Sequence, residues 1–348
     1  MKIWLPYIRG GSGTDVFTEI LASALSDFGC QTVTSPVDHH WQFFPWGMPY
    51  LTAPVGTDIT LVNSWNGFMF RRPGIKQVVV EHLCVHDPAM RPYRNFAQAI
   101  FHNIAVQHFE KESFRTADAV VAVSEDTAAA VRTIFGATRV AVIHNGIDTS
   151  FFCPASAPAA PDFTRRPVRL LFVGNLIRRK GADLLPRIMS KLGPGYELHY
   201  TSGLRAKRKF VASPNMKPMG RLDREQVLQA YRWADMLLFP TRLEGFGYAA
   251  AEAMACGIPV VASDTTALPE VVTDGVTGRL CPVDDVGAFV EAIRSLAGHP
   301  DQLAAMAQNA RTVVLERFTL DSMVRKYISL FSALLDIRSP TPSALSNS

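Results

Sequence analysis

The stretch from Asp235 to Cys281 constrains this chain more than any other part of it. It reads DMLLFPTRLEGFGYAAAEAMACGIPVVASDTTALPEVVTDGVTGRLC. An apolar run, Met236 to Phe239, reads as a buried strand and stops at Pro240. A loop with Glu244, Gly245, Phe246 and Gly247 follows, and then an alanine-rich helix from Tyr248 that carries Glu252. Glycines let a backbone approach a ligand closely. The free N–H groups where the helix begins, after Phe246, form an anion site suited to phosphate. Glu244, just outside the helix, can accept hydrogen bonds from neutral hydroxyls. Glu252, more than a turn inside, can hold two neighbouring hydroxyls in a bidentate way. A diphosphate flanked by polyols on both sides is the outline of a nucleotide-sugar. The bland alternative is an exposed helix with two solvated carboxylates, but a plain helix start has no need of Gly-Phe-Gly.

The rest of the chain gives that segment a setting. At 348 residues it is long for one core and comfortable for two. A composition of 48% hydrophobic and 19% charged residues is that of an ordinary globular protein. Its five cysteines (Cys30, Cys84, Cys153, Cys256, Cys281) are scattered with no Cys-x-x-Cys, which predicts reduced thiols in the cytoplasm and not a disulfide or zinc framework. The N-terminal apolar part is too short for a signal peptide, and no apolar run is long enough to span a bilayer. The net charge of +4 is unevenly placed: between Asp162 and Arg224 fifteen basic residues face four acidic ones. Such a field favours an anionic ligand or surface. No nucleic-acid motif accompanies it, so nucleic acid is not expected as a partner.

Strands and helices alternate. Lys2 to Tyr7 reads as a strand followed by a glycine turn and a helix from about Asp15 to Phe28. Further strands are expected at Asp58 to Val62, Gln77 to Glu81, Ala119 to Val123 and Val140 to Ile143, with helices at Asn95 to Thr116 and Glu125 to Phe135. That alternation means a parallel sheet covered on both faces. Prolines 154, 158, 161 and 167 mark residues 153–167 as a stiff linker. A second alternating unit begins at Arg169 to Val173. It continues with a helix at Gly181 to Leu192, a strand at Tyr196 to Tyr200, a helix at Asp223 to Trp233 and the strand before Pro240. Helices at Val286 to Ala297, Pro300 to Arg317 and Leu320 to Leu335 close it. We therefore expect an N-terminal domain over 1–152 and a C-terminal domain over 168–318. A last helix within 319–338 and a disordered tail at 339–348 complete the division.

The signature segment resembles that of the retaining family 4 glycosyltransferases of the GT-B fold, of the bacterial polysaccharide and lipopolysaccharide type. Their mark is two glutamates with seven residues between, which Glu244 and Glu252 match, followed by elements similar to Gly257-Ile-Pro-Val-Val, Leu268-Pro269-Glu270 and Asp274-Gly275-Val-Thr-Gly278. The resemblance extends over nearly the whole chain. It implies two Rossmann-like, doubly wound domains facing across a cleft, with the last helix crossing back to the first domain. The nucleotide-sugar would bind the C-terminal domain, and the acceptor the N-terminal one. Lys180 and Gly181 match the family's strand–turn–lysine element, but Asn175 stands where the family has arginine, and Arg179 is the candidate to replace that charge. The implied donor-binding set is Gly10, Gly11, Asn175, Arg179, Lys180, Arg221, Gly245, Phe246, Gly247, Tyr248 and Glu252. His82 and Glu244 would act at the transferred sugar.

Alternatives stay open at several of these positions. Gly10-Gly11-Ser12-Gly13 is not a dinucleotide fingerprint, because Val16 occupies the place of its third glycine, and it also reads as a tight strand-to-helix turn. His82 reads as a donor contact, as a packing residue or, with His86, as half of a metal site lacking a third ligand. No Asp-x-Asp occurs in a suitable loop, so neither a catalytic metal nor any other cofactor is expected, the nucleotide-sugar being a co-substrate. Ser124 reads as a helix cap and Asn145-Gly146 as a turn. The helix from Asn95 to Thr116, with Phe96, Phe101, Phe109 and Phe114, reads as a core helix with basic ends or as one lying on an anionic membrane.

The expected activity is transfer of a hexose from a nucleoside diphosphate sugar to a saccharide or lipid-linked acceptor with retention, in polysaccharide, lipopolysaccharide or glycolipid synthesis. Such an enzyme would work in the cytoplasm or at the inner face of the membrane. Rival readings are a non-catalytic partner subunit with the same fold and a nucleotide-sugar epimerase.

Overall fold

A computed structural model describes residues 1–10, 13–43, 50–94, 96–155, 160–202 and 212–336. The first half runs β1 (Lys2–Arg9), α1 (Gly13–Asp27), β2 (Gln31–Asp38), β3 (Ile59–Asn63), β4 (Lys76–Glu81), α2 (Phe96–Phe101), α3 (Gln107–Thr116), β5 (Ala119–Ala122), α4 (Glu125–Phe135) and β6 (Val140–Val142). The second half runs β7 (Val168–Phe172), α5 (Leu185–Leu192), β8 (Tyr196–Thr201), β9 (Met216–Gly220), α6 (Arg224–Trp233), β10 (Met236–Phe239), α7 (Tyr248–Ala255) and β11 (Val260–Ser263). It ends with α8 (Leu268–Val271), β12 (Gly278–Cys281), α9 (Val286–Ala297), α10 (Pro300–Arg317) and α11 (Leu320–Leu334). Each half forms a six-stranded sheet, in the orders β2-β1-β3-β4-β5-β6 and β9-β8-β7-β10-β11-β12. Every strand pairing in both is parallel. The fold is thus two doubly wound α/β units, as the alternation predicts.

Central strands are apolar on both faces because helices cover both. Residues Ile3 to Leu5, Val78 to Val80, Leu170 to Phe172 and Met236 to Phe239 are all buried. The strands that the periodicity does not predict are β2, β9, β11 and β12. Two of them, β2 and β9, are edge strands with a single neighbour and a proline inside, Pro36 and Pro218. Edge strands tolerate proline and remain partly exposed, so they lack the apolar run that marks a central strand.

The expected helix over 95–116 is α2, a π-turn at His102–Val106, and α3 in succession. Phe109 and Phe114 on α3 are buried, as a core helix requires, whereas Phe96, Ile100 and Ile104 are exposed. The reading as a core helix therefore describes only its second half. Asn95, residues 156–159 of the linker, the basic residues Arg205, Lys207, Arg208 and Lys209, and the tail at 339–348 lie outside the described residues.

After α10 the chain returns to the first half, and α11 packs on α1. At the crossing, Ile147 N–H donates to Phe318 O (2.7 Å) and Leu320 N–H to Ile147 O (3.1 Å). Gly146 makes this possible: a Cβ there would lie 2.7 Å from Leu320 Cα and 2.8 Å from Thr319 O. Arg311 on α10 ties the same region together, donating to the carbonyls of Thr149, Phe152 and Ala255.

Candidate active site

In each sheet the strand order reverses at one place, between β1 and β3 and between β7 and β10. Crevices outside the carboxyl ends of strands at such points are where open α/β sheets bind ligands. The loops leaving β1, β4, β7 and β10 here line one cavity of about 700 Å³ between the two halves. Of the residues singled out in the sequence, His82, Asn175, Arg179, Lys180, Arg221, Glu244, Gly245, Phe246, Gly247, Tyr248 and Glu252 all line it. Gly10 does not; Gly13 and Thr14, one turn later, take the wall at that point. Gly11 lies outside the described residues.

Lys180 ends a short 3-10 turn, Arg178–Lys180, capped by Gly181 in the left-handed conformation (φ 70°). Only glycine fits there, since a Cβ would lie 1.8 Å from Pro240 O. That contact seats Lys180 beside the loop after β10. Its ammonium donates to Glu244 Oε1 at 2.5 Å, and Thr241 Oγ1 donates to the same oxygen at 2.8 Å. Burial works against both charges. It lowers the Lys180 pKa despite Glu244. On Glu244 burial pushes upward, but Lys180 and Arg179 outweigh it and hold the carboxyl below its ordinary value. Glu244 is therefore an anion throughout the neutral range. Its backbone N–H donates to Thr266 Oγ1 at 3.0 Å. Thr266 adopts φ 45°, an uncommon conformation for a residue other than glycine, and one often held at functional sites.

Helix α7 starts at Gly247, itself left-handed (φ 96°), and no side chain caps it. Gly247, Tyr248 and Ala249 line the cavity, so the uncapped helix start adjoins it. One turn further, Glu252 meets the cavity with a carboxylate whose Oε2 accepts from Tyr231 Oη at 2.9 Å. Burial raises the Glu252 pKa to about 7, against the opposing pull of the Tyr231 hydrogen bond and of Arg224.

The opposite wall is electrically quiet. His82 donates through Nε2 to Asn63 Oδ1 at 3.0 Å and stands edge-on to Phe17 at 4.6 Å. Burial lowers its pKa to about 4, so the ring is neutral. His86 points elsewhere, its Nε2 2.9 Å from Glu110 Oε2. The two histidines thus have separate partners. Among the described residues no group of three or more His, Cys, Asp and Glu side chains is disposed to hold a metal.

The halves touch at backbone level. A Cβ on Gly245 would lie 1.7 Å from His82 O, so this glycine admits the other half's chain, in addition to lining the cavity. Glu270, of the Leu-Pro-Glu element, forms a second clasp. Its carboxylate accepts from the N–H groups of Glu125 (2.8 Å) and Asp126 (3.0 Å) at the start of α4, and pairs with His144 (2.8 Å). Ser124 caps the same helix, as expected, accepting from Thr127 N. Asn145, Thr201 and Thr14 also line the cavity, and no motif in the sequence marks them as cavity residues. Asn145 carries a signal of its own kind: it is a polar residue only 2% exposed, at the end of a strand–loop segment.

Comparison with known proteins agrees with this architecture. The profile described as "Glycosyltransferase Family 4" matches residues 20–151, and that of "Glycosyl transferases group 1" matches residues 167–299. A D-inositol 3-phosphate glycosyltransferase of Mycolicibacterium smegmatis is 30% identical over 223 residues, 60% of this chain and 51% of that protein. One from Mycobacterium sp. strain KMS is 36% identical over 178 residues, 46% of this chain and 39% of that protein. The chain thus spans about half the length of these relatives or less. Among solved structures, sucrose-phosphate synthase from Thermosynechococcus elongatus superposes with a TM-score of 0.79 at 20% identity, covering 97% of this chain and 99% of that one. Anabaena HepE in complex with UDP and glucose gives 0.71 at 19%, covering 96% and 100%. The lipopolysaccharide glycosyltransferase WaaG gives 0.70 at 16%, covering 95% and 100%. With one profile on each sheet and this fold beneath both, the chain belongs to the group 1, family 4 glycosyltransferases.

Proposed function

We propose that the protein transfers a sugar from a nucleoside diphosphate sugar to an acceptor hydroxyl, with retention at the anomeric carbon. The observation that carries this reading is the set of groups gathered on one cavity wall: Glu252, the uncapped start of α7, Lys180 with Arg179, and Glu244. That set suits a ribose diol, a diphosphate and a hexose laid end to end. The bond from sugar carbon one to the phosphate oxygen breaks with its electron pair going to the diphosphate, and the acceptor oxygen takes its place. Lys180, Arg179 and the α7 N–H groups stabilise the departing charge. Preorganised donors of this kind are worth about 3–4 kcal/mol each. Glu244 faces the carbon where positive charge develops, and His82, a neutral ring, contacts the sugar. No metal ion is needed in this scheme, since cationic side chains and helix N–H groups take up the phosphate charge.

The acceptor lies against the N-terminal wall. Sugar transfer in polysaccharide, lipopolysaccharide or glycolipid synthesis fits the resemblance. Contact with an anionic membrane is supported by Phe96, Ile100 and Ile104, exposed at helical spacing and followed by exposed Lys111 and Arg115. No helix among the described residues is long and apolar enough to cross a bilayer. The decisive experiment is a panel of nucleotide-sugars scored for slow hydrolysis and for thermal stabilisation. One donor that stabilises the protein and is hydrolysed supports transfer. Stabilisation without turnover, with or without candidate acceptors, favours the partner-subunit reading, and conversion of the donor to its epimer favours an epimerase.

A further inference from the structure

Tyr231 sits in α6, outside the cavity wall, and is fully buried. Its ring packs against Phe152 at 6.1 Å, a task that phenylalanine would perform as well. Its hydroxyl does something a phenylalanine cannot. It lies 3.2 Å from the carbonyl of Ala249, in the first turn of α7, and 2.9 Å from Glu252 Oε2. Both partners belong to the stretch of α7 that lines the cavity. A carboxylate on a three-torsion side chain has many orientations, and a bidentate grip on a diol uses one of them.

We propose that Tyr231 is a positioning residue of the donor site, whose hydroxyl holds the Glu252 carboxylate in the orientation and the ionised form that a ribose diol requires. The proposal rests on the donor reading above. A hydrogen bond given to a carboxylate favours its charged form. Burial pushes Glu252 towards its protonated form, and Tyr231 is the first influence pulling the other way. The other ionisable groups facing Glu252 are Tyr248 and Cys256 on its own helix and Arg224 at the start of α6. Both Tyr231 and Tyr248 are held protonated well above their ordinary range, by burial first and then by Glu252, so neither contributes a competing charge. Burial also pushes Cys256 up to about 12. Arg224 is engaged with Asp148 at 2.7 Å. Glu252 is thus the one member of this group that titrates near neutrality.

The test compares UDP with 2′-deoxyUDP by calorimetry from pH 5.5 to 8.5, or the GDP or ADP pair if one of those binds more tightly. The affinity ratio of the two ligands isolates the diol, because titration of the diphosphate cancels. In the wild type the ratio should be large at high pH and fall as pH drops through about 7, where Glu252 takes up its proton. Tyr231→Phe should lower the ratio about tenfold at pH 7, the usual scale for losing a hydrogen bond to a charged group, and move its midpoint to higher pH. Under turnover the same variant should raise KM for the donor and leave kcat within about twofold, as loss of uniform binding does. Glu252→Gln should show a small ratio with no pH dependence. If the phenylalanine variant does not fold, 3-fluorotyrosine at position 231, a stronger donor of nearly the same shape, carries the test: the midpoint should move to lower pH, and an unmoved midpoint overturns the positioning role. A Tyr231→Phe protein with the ratio and midpoint of the wild type overturns the positioning role and leaves the donor reading intact. A wild type that binds UDP and 2′-deoxyUDP equally at every pH overturns the ribose role of Glu252 and Tyr231 together. A wild type that binds no nucleoside diphosphate overturns the donor reading, and this proposal with it.

Discussion

The two walls of the cavity are built from the same α/β plan, yet they present opposite chemistry. The C-terminal wall carries Arg179, Lys180, Arg221, Glu244 and Glu252. The N-terminal wall offers Gly13, Thr14, His82, Leu83 and Asn145, where, among the described residues, the one ionisable group is kept neutral by burial. Charge recognition is therefore concentrated on one side, and the other side works through shape and neutral hydrogen bonds. Under the proposed scheme this is a division of labour: a charged donor can be held by one half alone, and the other half is left to fit the acceptor.

That contrast can be broken by experiment, and the largest effect should come from Glu244. Glu244→Gln keeps size and hydrogen bonding but removes the charge that the proposed scheme sets opposite carbon one, so kcat should fall about 10²–10³-fold with a modest change in KM. Near-normal kcat in that variant, with Glu252→Ala inactive, would reverse the roles of the two carboxylates. Next in size, Lys180→Ala should weaken nucleoside diphosphate binding about 10²-fold by calorimetry, since it removes a cation and strands a buried anion. His82→Ala on the opposite wall should leave that affinity within about twofold while lowering kcat. Equal losses in both would abolish the asymmetry between the walls.

A smaller effect is expected at the contact between the walls. Gly245→Ala inserts a methyl group against His82 O and should cost about 1–3 kcal/mol of stability. Saturating diphosphate should compact the wild type in small-angle scattering and should compact this variant less. Identical scattering curves with and without ligand count against closure.

The pH dependence of stability sharpens the comparison further. Burial raises Glu81 and Glu110, both in the N-terminal half, to about 8. Such groups bind protons more tightly folded than unfolded, so their contribution is present at low pH and is lost as pH rises through about 8. His82, His86 and His102, lowered to about 4 by burial, act in the opposite sense, and their contribution is lost as pH falls from about 6.5 towards 4. Between pH 6.5 and 8.5 the raised acids, Glu252 with them, lose most of their contribution, while the histidines recover only the last part of theirs, so melting temperature should decline across that window, and Glu110→Gln should lessen the decline. The smallest expected effect is none: activity should persist in a chelator, and loss restored by manganese would contradict the metal-free scheme.

How much of this was legible beforehand follows the physics of each element. Buried central strands and helices with a cap or a proline at their start declare themselves locally: Met236–Phe239, Glu125–Phe135, Val286–Ala297 and Pro300–Arg317 occur where the sequence pattern places them. Edge strands β2 and β9 do not, because their residues answer to one neighbour and to water. The two glutamates and Lys180 were readable because glycine turns and a helix start fix where they stand. That Lys180 would be neutralised by Glu244 at 2.5 Å was not, since it depends on two loops sixty-four residues apart meeting. In the sequence Gly245 reads as a ligand approach, and its contact with His82 O depends on the opposite half of the chain. Tyr231 looks in the sequence like any apolar helix position.

The hydrogen bonds between Ile147 and the Phe318–Leu320 segment have a mechanical consequence. The chain passes between its halves twice, once after β6 and once before α11, and those bonds stitch the two passages side by side. A body joined at two distant points would be braced against rotation. With the Glu270 clasp to Glu125, Asp126 and His144 closed, the halves are braced in this way; with it released, they can swing about the seam as the covers of a book swing about its spine. The seam lies where Arg311 also gathers the carbonyls of Thr149, Phe152 and Ala255, and the free edges of the covers meet at Gly245 and His82.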